Sequence, residues 1–196
     1  MSFSAHKAIL IRLDASPSIG MGHLSRCSAL ARELSRRGFS LLFVCRYQQI
    51  NLAAELTGLG ATLETLPWEL SVFEDAQQTV ELYKAHHCIL AIVDHYRVDE
   101  SYQQCLLDGG VRWLQFDWAA KQPLWADWVL NASPAARENA YDLLRCRPET
   151  QFLLGPRYVL LRESFRLQRP QQRDYLDVRR IFISFGGGDD RGAILF

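Results

Sequence analysis

A chain of 196 residues that is 48% hydrophobic and 11% aromatic carries enough apolar side chain to bury a substantial core, which excludes an intrinsically disordered protein. Its 22 Lys and Arg balance 22 Asp and Glu for a formal net charge of +0, so no global field draws it to nucleic acid or an acidic membrane, and a small-molecule partner is expected. The five cysteines, Cys27, Cys45, Cys88, Cys105 and Cys146, are odd in number, widely spaced and without a Cys-x-x-Cys pair, which argues against a disulfide framework or structural zinc and for reduced thiols in a core.

The N-terminal MSFSAHKAILIRL has too short an apolar run, and charges too close to it, for a signal peptide; no apolar run approaches about 18 residues, and a cytoplasmic protein is expected. Ala8 to Leu13 reads as a buried strand, and Leu24, Cys27, Leu30, Ala31 and Leu34 recur at helical spacing until Gly38 ends the pattern. Leu41 to Cys45 predicts a second strand, Leu52 to Thr57 a short helix and Ala61 to Leu66 a third strand. The alternation continues with a helix over Glu74 to His86, a strand over Cys88 to Val93 and a helix over Glu100 to Leu107. Strands follow over Val111 to Phe116 and Trp128 to Leu130, then a helix over Ala135 to Arg145. This pattern predicts an α/β fold, a parallel sheet with helices on both faces.

Between the first strand and helix runs a polar loop, within the segment RLDASPSIGMGHLSRC from Arg12 to Cys27. Arg12, Asp14, Ser16 and Ser18 gather polar groups at the carboxyl end of the strand, where open α/β sheets bind ligands. Gly20 and Gly22 remove side chains where the loop must bend or let a ligand reach the backbone, and the free amides of the helix's first turn favour an anion. His23 falls in that turn, whose partial positive charge favours the neutral imidazole, so His23 is a candidate general base. A lone Gly-x-Gly-His is also compatible with an ordinary strand-to-helix turn and a capping histidine.

Only Gln168 to Asp174, QRPQQRD, has the polar, proline-containing character of a linker. Beyond it RRIFISFGGGDD repeats the grammar of the first loop, an apolar strand running into Gly186, Gly187 and Gly188 with Asp189 following. The expected organisation is therefore an N-terminal domain over 1–167, a linker over 168–178 and the opening of a second, nucleotide-binding domain over 179–196. A lone strand with a glycine loop cannot bury itself, so it pairs with the first domain, is disordered, or begins a domain continuing in a longer protein; the last is the expectation.

Taken together, these segments resemble the UDP-sugar hydrolases of pseudaminic acid biosynthesis (PseG type), which are built like two-domain GT-B glycosyltransferases of the MurG kind. The resemblance is carried by Arg12, Asp14, Ser16, Gly20, Gly22, His23, Arg26 and Cys27, by Phe43 to Arg46, by Val93, Asp94, His95 and Tyr96, by LGPRYVLL from Leu154 to Leu161, and by SFGGGD from Ser184 to Asp189. It implies a Rossmann-like N-terminal half of a GT-B-like fold. It also implies hydrolysis of a UDP-linked 2,4-diacetamido-2,4,6-trideoxy sugar, with water attacking the anomeric carbon, inversion there and UDP leaving; no metal or cofactor is implied. His23 would activate the water; Asp14, Ser18, Gly20, Gly22, Asp94, His95, Tyr96, Arg157 and Tyr158 would contact substrate; Gly186, Gly187, Gly188 and Asp189 would hold the nucleotide. The chain departs from the family at QFDWAAKQPLWADW, where paired acids are expected: Asp117 and Asp127 stand in for acids, whereas Trp118 and Trp125 are unexpected. Activity of the short chain alone is doubtful, because remote binding energy from a second domain supports catalysis. The alternatives are a glycosyltransferase in which His23 deprotonates an acceptor hydroxyl, and a non-catalytic remnant that binds a sugar or a partner, with self-association through an exposed interdomain face.

Several residues carry two readings. Asp94 and His95 either converge with Asp14 and His23 on one cleft, or Asp94 caps a turn and His95 is exposed. His86 and His87 are expected to serve a helix C-terminus. Trp113, Trp118, Trp125 and Trp128 form either a sugar-stacking surface or a core edge, and core packing is expected. Arg157 and Tyr158 either touch a phosphate or cover the domain edge. Cys27 is expected to be buried rather than nucleophilic.

Overall fold

The computed structural model describes residues 7–47, 52, 56–162 and 164–165. The strands are β1 (Ala8–Ala15), β2 (Ser40–Tyr47), β3 (Thr62–Thr65), β4 (Cys88–Asp94), β5 (Trp113–Phe116), β6 (Trp128–Asn131) and β7 (Gln151–Leu154). They form one parallel sheet in the order β3-β2-β1-β4-β5-β6-β7. The helices are α1 (Gly22–Arg36), α2 (Val72–Ala85), α3 (Glu100–Asp108) and the short α4 (Glu138–Asp142). The predicted parallel sheet with helices on both faces is borne out. The expected linker, and the second-domain opening with Gly186, Gly187, Gly188 and Asp189, lie outside the described residues.

The pleat of β1 sorts its side chains between two layers. Ile9, Ile11, Leu13 and Ala15 pack with Leu24, Cys27 and Ala31 of α1, joined by Leu41, Phe43 and Cys45 of β2 and Ile92 of β4. Leu10 faces the other way, into a layer with Ala76 and Tyr83 of α2, Tyr102 and Leu106 of α3, and Ala91, Val93 and Trp113. Burying each large aliphatic or aromatic side chain contributes about 1.5–3 kcal/mol. α2 starts at a capping box, with the Glu74 amide donating to Ser71 Oγ and the Ser71 amide to the Glu74 carboxylate, and Asp99 caps α3 by accepting from the Tyr102 amide. Among the described residues no helix is long and apolar enough to cross a membrane.

Three expectations are corrected. The helix predicted over Ala135 to Arg145 shrinks to α4, because a turn closes from Ala136 N to Ser133 O, Arg137 is extended, and Leu144 and Cys146 are captured by backbone pairing with Leu124. Non-local pairing overrides local helical spacing there. β7 was not anticipated; its short apolar core, Phe152 to Leu154, becomes a strand by pairing with β6. Of the four clustered tryptophans expected in the core, Trp113 is fully buried while Trp118 is 67% exposed. Of the short helix expected over Leu52 to Thr57, Leu52 and Leu56 are helical and a 3-10 turn spans Thr57–Leu59.

Candidate active site

The chain leaves β1 for β2 and β3 on one side, then returns to place β4 on the other side of β1. The connections therefore diverge between β1 and β4, and the carboxyl ends of these two strands flank the crevice where open α/β sheets bind ligands. Leu13 and Asp94 are register partners at that edge. The β1–α1 loop closes over it: Gly20 adopts a left-handed φ of 84° that a side chain would strain, and its amide donates to Ser16 O at 2.7 Å. Ser16 Oγ accepts from the Ile19 amide and bonds Ser18 Oγ at 2.9 Å. Gly22 opens α1, and a Cβ there would meet nothing within 4 Å, so its backbone faces open space. No side chain caps α1 and no acid sits in its first turn, which leaves its leading amides available to an anion.

His23, in that turn, is buried, and its Nδ1 lies 2.7 Å from Asp94 Oδ1. Arg26, one turn later on α1, donates from Nε to Asp94 Oδ2 and from Nη2 to Oδ1, both at 2.5 Å, and the Cys27 thiol reaches Oδ2 at 3.4 Å. These partners hold the Asp94 carboxyl down at about 2: burial opposes ionisation, but hydrogen bonds from Arg26 and His23 and the Arg26 charge outweigh it. An ionised Asp94 accepts, so Nδ1 carries the proton, and the 2.9 Å approach of Arg26 Nη2 to Nδ1 is that of two donors converging on one oxygen. In the neutral ring this places the lone pair on Nε2, which is buried without a hydrogen-bond partner. Arg26 also lies over the Phe116 ring, its Cζ 5.0 Å from the centroid. Cys27 is fully buried and its thiol pushed up well above the usual range, by burial first and then by Asp94, as expected for a thiol that is not a nucleophile.

Asp14 lies on the other face of the sheet, in a buried quartet. Arg12 donates to Asp14 Oδ1 at 2.7 Å and to both oxygens of Asp75 on α2 at 2.9 and 2.5 Å. Arg46, at the end of β2, bonds both oxygens of Asp14 at 3.1 and 2.5 Å and the Trp68 carbonyl at 3.1 Å. Two guanidinium groups and two carboxylates cancel in charge, and Asp14 is held well below the usual carboxylate range despite burial, by Arg46 and Arg12.

Asp94 and His95 are neighbours in sequence and point to opposite faces. His95 is buried against Tyr102, ring centroids 4.9 Å apart, with neither ring nitrogen hydrogen-bonded. Burial, reinforced by Arg12, pushes its imidazole down to about 4. Thus Asp94 does converge on His23, while His95 neither joins that cleft nor is exposed. Tyr96 follows, 61% exposed, its ring edge-to-face with His23 at 4.6 Å and with Trp118 at 6.0 Å. Arg157 and Tyr158 belong to a 3-10 turn after β7, the strand four positions from β1 in the sheet. Arg157 lies over the Tyr158 ring, and the following Val159, Leu160 and Leu161 line a cleft with Ala29, Leu30 and Glu33 of α1. His86 is the C-cap of α2, as expected.

The roles of Arg26, Arg46 and Asp75 escaped sequence reasoning. Arg12 and Asp14 alternating inside an apolar strand were the available signal that buried partners of opposite charge must exist; nothing local identified Asp75, 63 positions from Arg12, as one of them.

No protein-family model matches the chain. Over 194 residues it is 30% identical to the UDP-2,4-diacetamido-2,4,6-trideoxy-beta-L-altropyranose hydrolase of Campylobacter jejuni subsp. jejuni serotype O:2, covering 95% of this chain and 63% of that protein. The expected resemblance is therefore borne out, and the chain spans under two thirds of that relative's length. Two solved structures are partly similar: MurG of Acinetobacter baumannii, with a TM-score of 0.47 and 12% identity over 66% of this chain and 42% of that one, and a glycosyltransferase of Rickettsia africae ESF-5, with a TM-score of 0.44 and 13% identity over 58% and 30%.

Proposed function

We propose, from the similarity to that hydrolase and the geometry around His23, that this chain carries the water-activating side of a UDP-sugar hydrolase acting on a UDP-linked 2,4-diacetamido-2,4,6-trideoxy sugar. The observation that carries the reading is the His23 arrangement, with Nδ1 fixed by Asp94 at 2.7 Å and Nε2 buried and unpartnered. A water bound at Nε2 gives up its proton to that nitrogen as its oxygen bonds to the anomeric carbon. The bond from that carbon to the diphosphate oxygen breaks, its electron pair leaves with UDP, and attack opposite the leaving group inverts the centre. Asp94 keeps the ring in the required tautomer and stabilises the imidazolium that forms. Arg26 and the uncapped amides of α1 supply positive potential for the departing diphosphate. Gly22 and Tyr96 border the sugar, and the glycine loop at Gly186 to Asp189 takes the nucleotide, in line with the anion preference of such loops.

The test is UDP release from the UDP-linked diacetamido sugar by the chain and by His23→Ala, with NMR of the first anomer formed. Release with inversion that the substitution abolishes, while UDP binding persists, supports the reading. No release by the chain, either alone or joined to a C-terminal nucleotide-binding half, or equal release by His23→Ala, overturns it. Release that occurs only when an acceptor alcohol is supplied assigns the site to glycosyl transfer instead.

A further inference from the structure

We infer that Trp118, paired with Tyr96, is a stacking platform that receives the apolar face of the sugar and so sets which sugar the His23 site accepts. This inference rests on the proposed hydrolase reading and adds a specificity-determining residue to it. Three rings run outward from the buried base. His23 meets Tyr96 at 4.6 Å and an interplanar angle of 77°, and Tyr96 meets Trp118 at 6.0 Å and 84°. The inner ring is buried with its Nε2 unpartnered, while Tyr96 and Trp118 are 61% and 67% exposed. Two large exposed aromatic rings set edge to face beside an unpartnered buried acceptor are what a ligand with an apolar face and a reactive centre requires.

The exposure of Trp118 is built into its loop. Asp117 Oδ2 accepts from the amides of Ala119 and Ala120 at 3.1 and 2.8 Å and from the Tyr141 hydroxyl at 2.5 Å, and Asn131 donates to that same hydroxyl at 2.7 Å. Ala120 is held at a φ of 49°, a left-handed conformation an alanine adopts only when its surroundings impose it. Lys121 completes the loop with its Nζ 5.8 Å from the Trp118 ring centroid. A partly buried network thus tightens a turn whose effect is to present an indole to solvent.

Position selects the ligand moiety. The atom attacked must lie beside Nε2, and Tyr96 is the ring packed on His23, so the group that meets the platform is the one bonded through the reacting carbon. That group is the sugar; the uracil ring is two phosphates away. A 6-deoxy sugar with acetamido substituents offers a C–H face and methyl groups to an aromatic surface, whereas a fully hydroxylated hexose offers fewer apolar groups.

The experiment uses the full chain and its Trp118→Ala and Trp118→Phe forms. The probes are the free 2,4-diacetamido-2,4,6-trideoxy sugar and UDP, read by saturation-transfer NMR and tryptophan fluorescence, with kcat and KM for the UDP-linked sugar alongside. The expected result is saturation transfer to the sugar's methyl and ring protons, and about tenfold weaker sugar binding with a raised KM in Trp118→Ala. UDP affinity should be unchanged, and Trp118→Phe should recover most of the loss. Unchanged sugar affinity and KM in Trp118→Ala overturn the platform, as does loss of UDP affinity in place of sugar affinity, or no contact of the sugar with the unaltered chain. Sugar binding that depends on Trp118 in a chain that releases no UDP upholds the platform while the hydrolase reading falls, so the two failures are distinguishable.

Discussion

His95 is a buried imidazole whose protonation the fold opposes, and this makes the protein's stability depend on pH in a calculable way. Burial disfavours the imidazolium and Arg12 repels it, while Asp14 and Asp75 pull less strongly in the other direction, and the group falls from 6.5 to about 4. Above pH 6.5 His95 is neutral in both folded and unfolded chains and contributes no dependence. Between about 6.5 and about 4 the unfolded chain binds a proton that the folded chain does not, so stability decreases as pH is lowered through that window. The window is worth about 3 kcal/mol in full and about 2 kcal/mol by pH 5. The perturbation is His95→Phe, which keeps a flat ring against Tyr102 and removes the titration. The assay is urea unfolding at pH 7.5 and pH 5.0. The unaltered chain should lose about 2 kcal/mol more than the variant between the two, a difference of about 1 M in midpoint at ordinary urea dependence. Every other titrating group is common to both proteins and cancels in the comparison. Equal losses in the two would refute the assignment of His95 as a buried neutral residue.

Asp94→Asn should leave the backbone in place but let an amide donate to Nδ1, moving the proton to Nε2 and removing the acceptor that takes the water's proton. UDP release should fall about 100- to 10,000-fold, and nitrogen-15 NMR of His23 should show the exchanged tautomer. Asp75→Asn should cost about 3–5 kcal/mol in chemical denaturation, because it leaves the fully buried Arg12 with half of its charge compensation. Since the quartet is on the face opposite His23, turnover per folded molecule should change little.

The polar loop at the carboxyl end of β1 was legible because it follows from local spacing: an apolar strand, two glycines and a helical periodicity resumed at Leu24; the order of the strands, with β4 returning beside β1, is set by non-local pairing that local spacing does not encode. The convergence of Asp94 on His23 was legible only as one of two alternatives, since strand parity decides which of two consecutive polar residues faces α1, and parity depends on the register β4 adopts against β1. His95 was misjudged for the same reason. α4 and β7 were misread because their conformations are dictated by pairing with Leu124 and β6, partners distant in sequence. Trp118 was expected inside from the general tendency of tryptophan to pack there; what turns it outward is the fastening of its loop by Tyr141 and Asn131, partners distant in sequence from Asp117.

The adjacency of Asp94 and His95 across the sheet means that the catalytic proposal depends on the reading frame of a strand as much as on side-chain identity. A one-residue slip of β4 would carry Asp94 among the two arginines on the far side and turn His95 toward His23. The chain should therefore absorb insertions in its connecting loops far more readily than a single-residue deletion between Cys88 and Asp94, which exchanges the acceptor that orients His23 for a second imidazole.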